Sequence, residues 1–447
     1  MIIKTNYAMK NKLFYLFGTA FLLCSISTFT ACSEDNDEPI VENPDDDGNV
    51  LDLNGKYDSE TLKMTYNGEE LTGKKVTFTA DEKLEKATIL LSGVEKDLTD
   101  MLGGIIGEIK FTTNSPIPGE KEIKLENVVL TANADGTAYS FEGKDETSNR
   151  TMTYKGTVKE SEMSIDVTNE LKNKSLVGTW ELGPLKFGIL AEAPANISSP
   201  LWIDWDSQNN INAGTISGIG FNMDPISLFT WIFSVGDDNF LAAMGISGID
   251  VKLQQWIKNL LQSVTVQPNG CMYATYSYSG DLNNPTWSSE MGHNIIRYHH
   301  GEDLNQVYIE ANADFILSAL GDVLTRTRAN NDQTLETLAQ SLIETLRPAI
   351  ENGFPCTYEI TDNKMKINLD GKFTRDVLIK LADILNEPDI NGLIMSLIEN
   401  DETLKAYKSN IETVLQTLPD ALKYKDSSKT EPCEFVNIGF QLVKAAE

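Results

Sequence analysis

Histidine, cysteine and positive charge are all scarce in this sequence of 447 residues, and each shortage excludes something. There are three histidines, His293, His299 and His300. On a strand His299 and His300 point to opposite faces, and His293 lies roughly 20 Å away at ~3.3 Å per residue. The three cannot converge on a metal without a sharp bend, so no metal ligand is assigned. Without a well-placed imidazole, Ser-His and Cys-His nucleophilic chemistry is disfavoured as well. Of five cysteines, Cys24 and Cys32 fall in the N-terminal segment. That leaves Cys271, Cys356 and Cys433, too far apart for paired zinc ligation. Three thiols allow one disulfide at most, and which pair forms it stays open. Lys and Arg number 37 against 66 Asp and Glu, for a net charge of −29. Phosphate backbones are bound by neutralising them, so nucleic acid is not an expected partner. Neutral, apolar or cationic partners remain. There is no P-loop, no GxGxxG after a strand and no GxSxG elbow. No cofactor is expected and no catalytic residue is assigned. The chain reads as a non-enzyme, although so many acids leave room for a glycosidase carboxylate pair.

What is present begins at the N-terminus. Lys4, Lys10 and Lys12 precede an apolar run from Leu13 to Ile26, followed by small and polar residues up to Ala31. This is the pattern of a secretory signal, and the run is shorter than the ~20 residues a membrane span needs. Phe29-Thr30-Ala31-Cys32 resembles the lipobox of bacterial lipoproteins. The resemblance implies lipidation of Cys32 after removal of residues 1–31, with membrane contact through that anchor only. Ser33-Glu34-Asp35-Asn36-Asp37-Glu38 resembles the acidic export signal of surface-displayed Bacteroidetes lipoproteins. It implies an outer-membrane, cell-surface address. Residues 32–50 carry eight acids and no base, a composition expected to form a disordered tether.

From 51 to 172 the pattern is almost wholly β. Eight short strands are predicted: 57–66, 75–79, 87–91, 108–113, 122–131, 137–142, 152–158 and 162–168. Turn chemistry separates them at Tyr66-Asn67-Gly68, Ala134-Asp135-Gly136 and Pro116-Ile117-Pro118-Gly119. The expectation is an up-and-down β-barrel or a sandwich. A second unit, 173–447, mixes nine predicted strands with amphipathic helices and reads as a second β domain with helical insertions, the alternative being a separate α+β domain. Apolar stripes at helical spacing cover 253–264, 335–346 and 404–422, and helices are also expected at 314–325 and 374–385. The fold class is therefore mainly β with α insertions. Leu53-Asn54-Gly55-Lys56-Tyr57 and Leu176-Val177-Gly178-Thr179-Trp180 open the two units alike, with Gly-x-aromatic at the head of a first strand. This is similar to the Gly-x-Trp start of lipocalins, where the aromatic closes the barrel base. With the lipobox, the chain resembles the calycin-like (lipocalin-like) surface lipoproteins of gut Bacteroidetes.

Two stretches are candidate ligand sites. Trp202-Ile203-Asp204-Trp205-Asp206 pairs aromatics with carboxylates, as sugar-binding surfaces do, and alternation puts Trp202, Asp204 and Asp206 on one face. Residues 216–249 are rich in glycine and large apolar side chains. There Phe229, Trp231 and Phe233 are read as a cap over an apolar cavity. The leading expectation is a binder of an apolar or amphiphilic small molecule. The alternatives are a glycan-binding accessory to outer-membrane nutrient uptake and a structural module holding outer-membrane protein partners.

Overall fold

The computed structural model describes residues 53–97, 110–183, 200–216, 219–228, 261–277, 285–288, 295–311, 333–400 and 405–446. Cys32, Phe229, Trp231, Phe233 and the stripe at 314–325 lie outside the described residues.

The first unit contains β1 (Gly55–Asp58), β2 (Leu62–Tyr66), β3 (Glu69–Glu70), β4 (Lys74–Ala80), β5 (Lys86–Gly93), β6 (Glu95–Asp97), β7 (Lys110–Thr112), β8 (Glu122–Val129), β9 (Thr131–Ala132), β10 (Tyr139–Glu146), β11 (Arg150–Lys159) and β12 (Glu162–Leu171). They form two main sheets, β1-β4-β5-β8 and β3-β2-β12-β11-β10-β9. The chain passes from one sheet to the other three times, at β1/β2, at β3/β4 and at β8/β9. The expected strand 57–66 is broken by a 3-10 turn at Ser59–Thr61. Its first half pairs with β4, and its second half pairs with β12 in parallel. These passages join both sheets around a single core. The expected up-and-down barrel is corrected here: a chain that turns a corner in mid-strand meets different neighbours on either side. In the β10–β11 hairpin two glycines lie under cross-strand aromatics, Gly143 opposite Tyr154 and Gly156 opposite Phe141. The core between the sheets is filled, with Tyr66, Val76, Phe78, Ile89 and Leu91 all buried.

The second unit holds β13 (Gly178–Leu182), β14 (Leu201–Trp205), β15 (Ile211–Ile216), β16 (Ile219–Met223), β17 (Leu261–Val266), β18 (Cys271–Ser277), β19 (Trp287–Ser288), β20 (Ile296–His300), β21 (Gln306–Ala311), β22 (Phe354–Thr361), β23 (Lys364–Leu369) and β24 (Val436–Lys444). Eight of them, in the order β13-β17-β18-β20-β21-β22-β23-β24, close on themselves through the β13–β24 pair. Every pairing in the ring is antiparallel. The protein is thus a closed eight-stranded antiparallel barrel plus a second β unit, with the closed barrel in the C-terminal position rather than the N-terminal one. Ladder pairings of the main sheets stay within 55–171 or within 178–444.

Among the described residues four long helices accompany the barrel: α1 (Gln333–Asn352), α2 (Gly371–Leu385), α3 (Pro388–Glu399) and α4 (Lys408–Lys423). Three match the expected stripes and α3 was not anticipated. The stripe at 253–264 is corrected at its end. Leu261 and Val264 belong to β17, where Val264 and Val266 alternate inward and the barrel ladder overrides the helical period. The hairpin β15–β16 also replaces part of the expected cap, placing Phe221 on a strand beneath α4.

The two ends of the barrel differ. At one end the connections are tight turns: 267–270, 301–305 and 362–363. At the other end the chain leaves for all its long excursions, 183–260, 278–295, 312–353 and 370–435, which include the four helices. The Gly-x-aromatic motif sits at the turn end. Trp180 is buried there and its Nε1 donates to the Leu176 carbonyl at 2.8 Å. The first unit repeats the arrangement, with the Tyr57 hydroxyl donating to the Leu53 carbonyl at 2.9 Å.

Candidate functional site

Register fixes which side chains face into the closed barrel. Directly opposite residues share a face, so Trp180, Val264, Ala274, Ile296, Tyr298, Val307, Cys356, Tyr358, Met365 and Leu442 all point inward. They are buried, as are Leu182 and Leu369 on the same face, and Leu182, Ile296 and Leu369 stand at the helix end of their strands. Towards the helix end the same inward face carries Leu261, Tyr276, Ile309, Phe354, Ile367 and Phe440, and these are only half-buried. Met272 and Ile360, nearer the turn end, are half-buried too. An eight-stranded barrel is just wide enough for its side chains to fill or to hold one small ligand. Here the turn end is mostly filled, and the helix end mixes buried side chains with an apolar wall that is partly uncovered. The N-terminus of α2 stands at the edge of this mouth, where Phe373 meets Phe354 edge-on at 6.4 Å. Asp370 holds that helix start by accepting from the Phe373 N–H at 2.8 Å.

Beyond the ring, the inward faces of β14 and β24 continue under α2 and α4. Ile203, Trp205, Val436 and Ile438 pack there with Ala382, Leu422 and Cys433. Trp205 is fixed by its Nε1 bond to the Ala421 carbonyl at 3.1 Å. Trp202 and Asp204 point the other way, as their alternation predicts. Asp204 is exposed, while the Trp202 ring lies beneath the Lys366 ammonium at 5.4 Å from its centroid. Asp206 does not join them as a free carboxylate: it accepts from the Glu434 N–H and pairs with Lys425 at 3.4 Å. A cation already covers the plate that a sugar would stack on.

The outer wall of the barrel meets the first unit at a buried polar seam. His299 and His300 face opposite ways, as adjacent strand residues must. His300 points inward between Tyr298 and Tyr358, and burial lowers its pKa. His299 points outward, stacked on Tyr308, with Nδ1 3.2 Å from Glu310 Oε1 but off the line of a hydrogen bond. Glu310 is buried and accepts from Asn114 Nδ2 at 2.8 Å and from the Gly119 N–H at 2.5 Å. Arg297 lies 3.6 Å from the same carboxylate, donates to the Pro116 carbonyl and rests over the Tyr66 ring. Burial alone would raise the Glu310 pKa, but His299, Arg297 and the Gly119 N–H outweigh it and hold it below 4.5. The turn Pro116-Ile117-Pro118-Gly119 is therefore part of the joint between the units. Gly119 has φ +79 and sits against the His299 ring, where a Cβ would collide. Cys271 projects from the outer barrel wall into the core of the first unit, closing that end of it. Cys271, Cys356 and Cys433 are all free and buried, and burial pushes the Cys271 thiol up.

No protein-family model, curated protein or solved structure matches the chain. The function therefore has to come from the geometry alone. Among the described residues no group of three or more His, Cys, Asp or Glu is placed to hold a metal. No described helix is long and apolar enough to cross a membrane. Two shallow depressions are lined largely by polar and charged side chains: one of about 250 Å³ between the first unit and Glu351 of α1, and one of about 690 Å³ on the first unit. Sequence reasoning missed the mouth residues. Each one is an ordinary apolar position in an alternating strand, and only the ring closure reveals that they share one rim.

Proposed function

We propose that this protein is a lipid-anchored, cell-surface binding protein of the calycin-like kind. It takes an apolar or amphiphilic small molecule into the helix-bearing mouth of its closed barrel. The observation that carries this reading is the half-covered inward wall of Leu261, Ile309, Phe354, Ile367 and Phe440 above a filled base. Barrel mouths lined by apolar side chains are favoured ligand sites. The first unit suits an apolar ligand less well, because its core is filled, Cys271 stoppers one end and its surface depression is lined largely by polar and charged side chains. It serves as a platform between the acidic tether and the binding barrel. Phe229, Trp231 and Phe233 belong to a connection that leaves from the mouth, which is where a cap would have to start.

N-phenyl-1-naphthylamine, which fluoresces in apolar surroundings, tests the reading. The full chain should enhance its emission, and Phe440→Asp should abolish the enhancement. Val129→Asp, on an exposed position of the first unit, should leave it unchanged. Melting curves of both variants separate lost binding from lost folding. Absence of enhancement by the wild type would refute the proposal.

A further inference from the structure

We propose that the mouth selects an uncharged lipid bearing a hydroxyl group over a fatty-acid-type anion. This rests on the reading that the mouth binds an apolar molecule, and it concerns only the ligand's polar end. The half-buried wall offers hydrocarbon from Leu261, Ile309, Phe354, Ile367 and Phe440. Tyr276 stands on the same inward face, opposite Leu261, and is half-buried as well. Its hydroxyl has no hydrogen-bond partner among the described residues. A phenol can both donate to and accept from an alcohol, so both groups are satisfied. To a carboxylate it offers one neutral donor against a full charge, and a charge taken out of water without a counter-ion is strongly penalised.

The wider field acts in the same direction. The chain carries −29. An anion approaching the mouth meets like charge. The inward imidazole, His300, supplies no counter-ion: it lies at the opposite, turn end, and burial lowers its pKa towards the neutral form.

The experiment is competition. Full-length protein loaded with N-phenyl-1-naphthylamine is titrated at neutral pH with 1-dodecanol, dodecanoate and dodecylamine, below their aggregation limits. The alcohol should displace the probe at a concentration about ten-fold lower than the carboxylate, a difference of about 1.4 kcal/mol. Tyr276→Phe should weaken the alcohol by about five-fold relative to the probe's own affinity for the variant, the worth of one neutral hydrogen bond, with the melting temperature unchanged. A carboxylate or amine that matches or beats the alcohol overturns the selectivity while the binding reading stands. Failure of the probe to bind at all overturns both.

Discussion

Glu310 shows how a single side chain holds the two units together. A buried carboxylate is costly by itself, yet here Asn114, the Gly119 N–H, His299 and Arg297 surround it. Removing one partner from a buried ionic group costs more than the group contributes, about 3–5 kcal/mol, because the other charge is left uncompensated. Glu310→Gln should therefore lower stability by roughly that amount, by leaving Arg297 unpaired. The pH dependence has a definite sign. The folded pKa of Glu310 is depressed, so its stabilisation is complete above the ordinary value of 4.5 and is lost as pH falls through the depressed value. Denaturant midpoints measured from pH 7 downward should show a decline below about pH 4.5 in the wild type, and Glu310→Gln should remove part of it. An unchanged profile in the variant would mean that Glu310 carries no pH-linked stability. None of this could be read from the sequence. His299 and Glu310 look like ordinary strand residues, and Asn114 is 196 positions away from Glu310.

The hairpin β10–β11 makes its own prediction at the scale of an element. Gly156 faces Phe141 across the ladder, and a Cβ there would strike both the Phe141 ring and the Ser164 carbonyl. Gly156→Ala should destabilise the protein by about 1–3 kcal/mol through overpacking, seen as a lower denaturation midpoint with an unchanged slope. Individual strands were the most legible part of the sequence. The alternation of Val76, Phe78 and Ala80 and the turn Asn67-Gly68, both with positive φ, locate β4 and the β2–β3 hairpin directly. What alternation cannot give is the partner of each strand. The break at Ser59–Thr61 sits inside a pattern that reads as one strand, and closure of the second barrel depends on β13 finding β24 some 260 residues later. The stripe ending at Leu261 and Val264 was misread for the same reason, since a short apolar run satisfies both periods.

At the scale of the whole molecule, the described residues form a two-sheet unit followed by a closed barrel. The proposed address rests on the N-terminal motif and makes a separate prediction. Cys32→Ser should release the protein from the membrane fraction and abolish labelling by a fatty-acid analogue, while ligand binding by the released protein persists. Continued labelling would remove the anchor assignment without touching the barrel. The shared Leu-x-Gly-x-aromatic openings, each with its aromatic bonded to the carbonyl four residues earlier, tie the two units to one local design. Among the described residues, the half-covered apolar wall belongs to the second unit. Hydrogen exchange with and without N-phenyl-1-naphthylamine tests that division most directly. Protection should rise in the strand ends around Leu261, Ile309, Phe354 and Phe440 and stay unchanged across residues 53–171. Protection confined to the first unit, or absent from the barrel mouth at saturating probe, would contradict it.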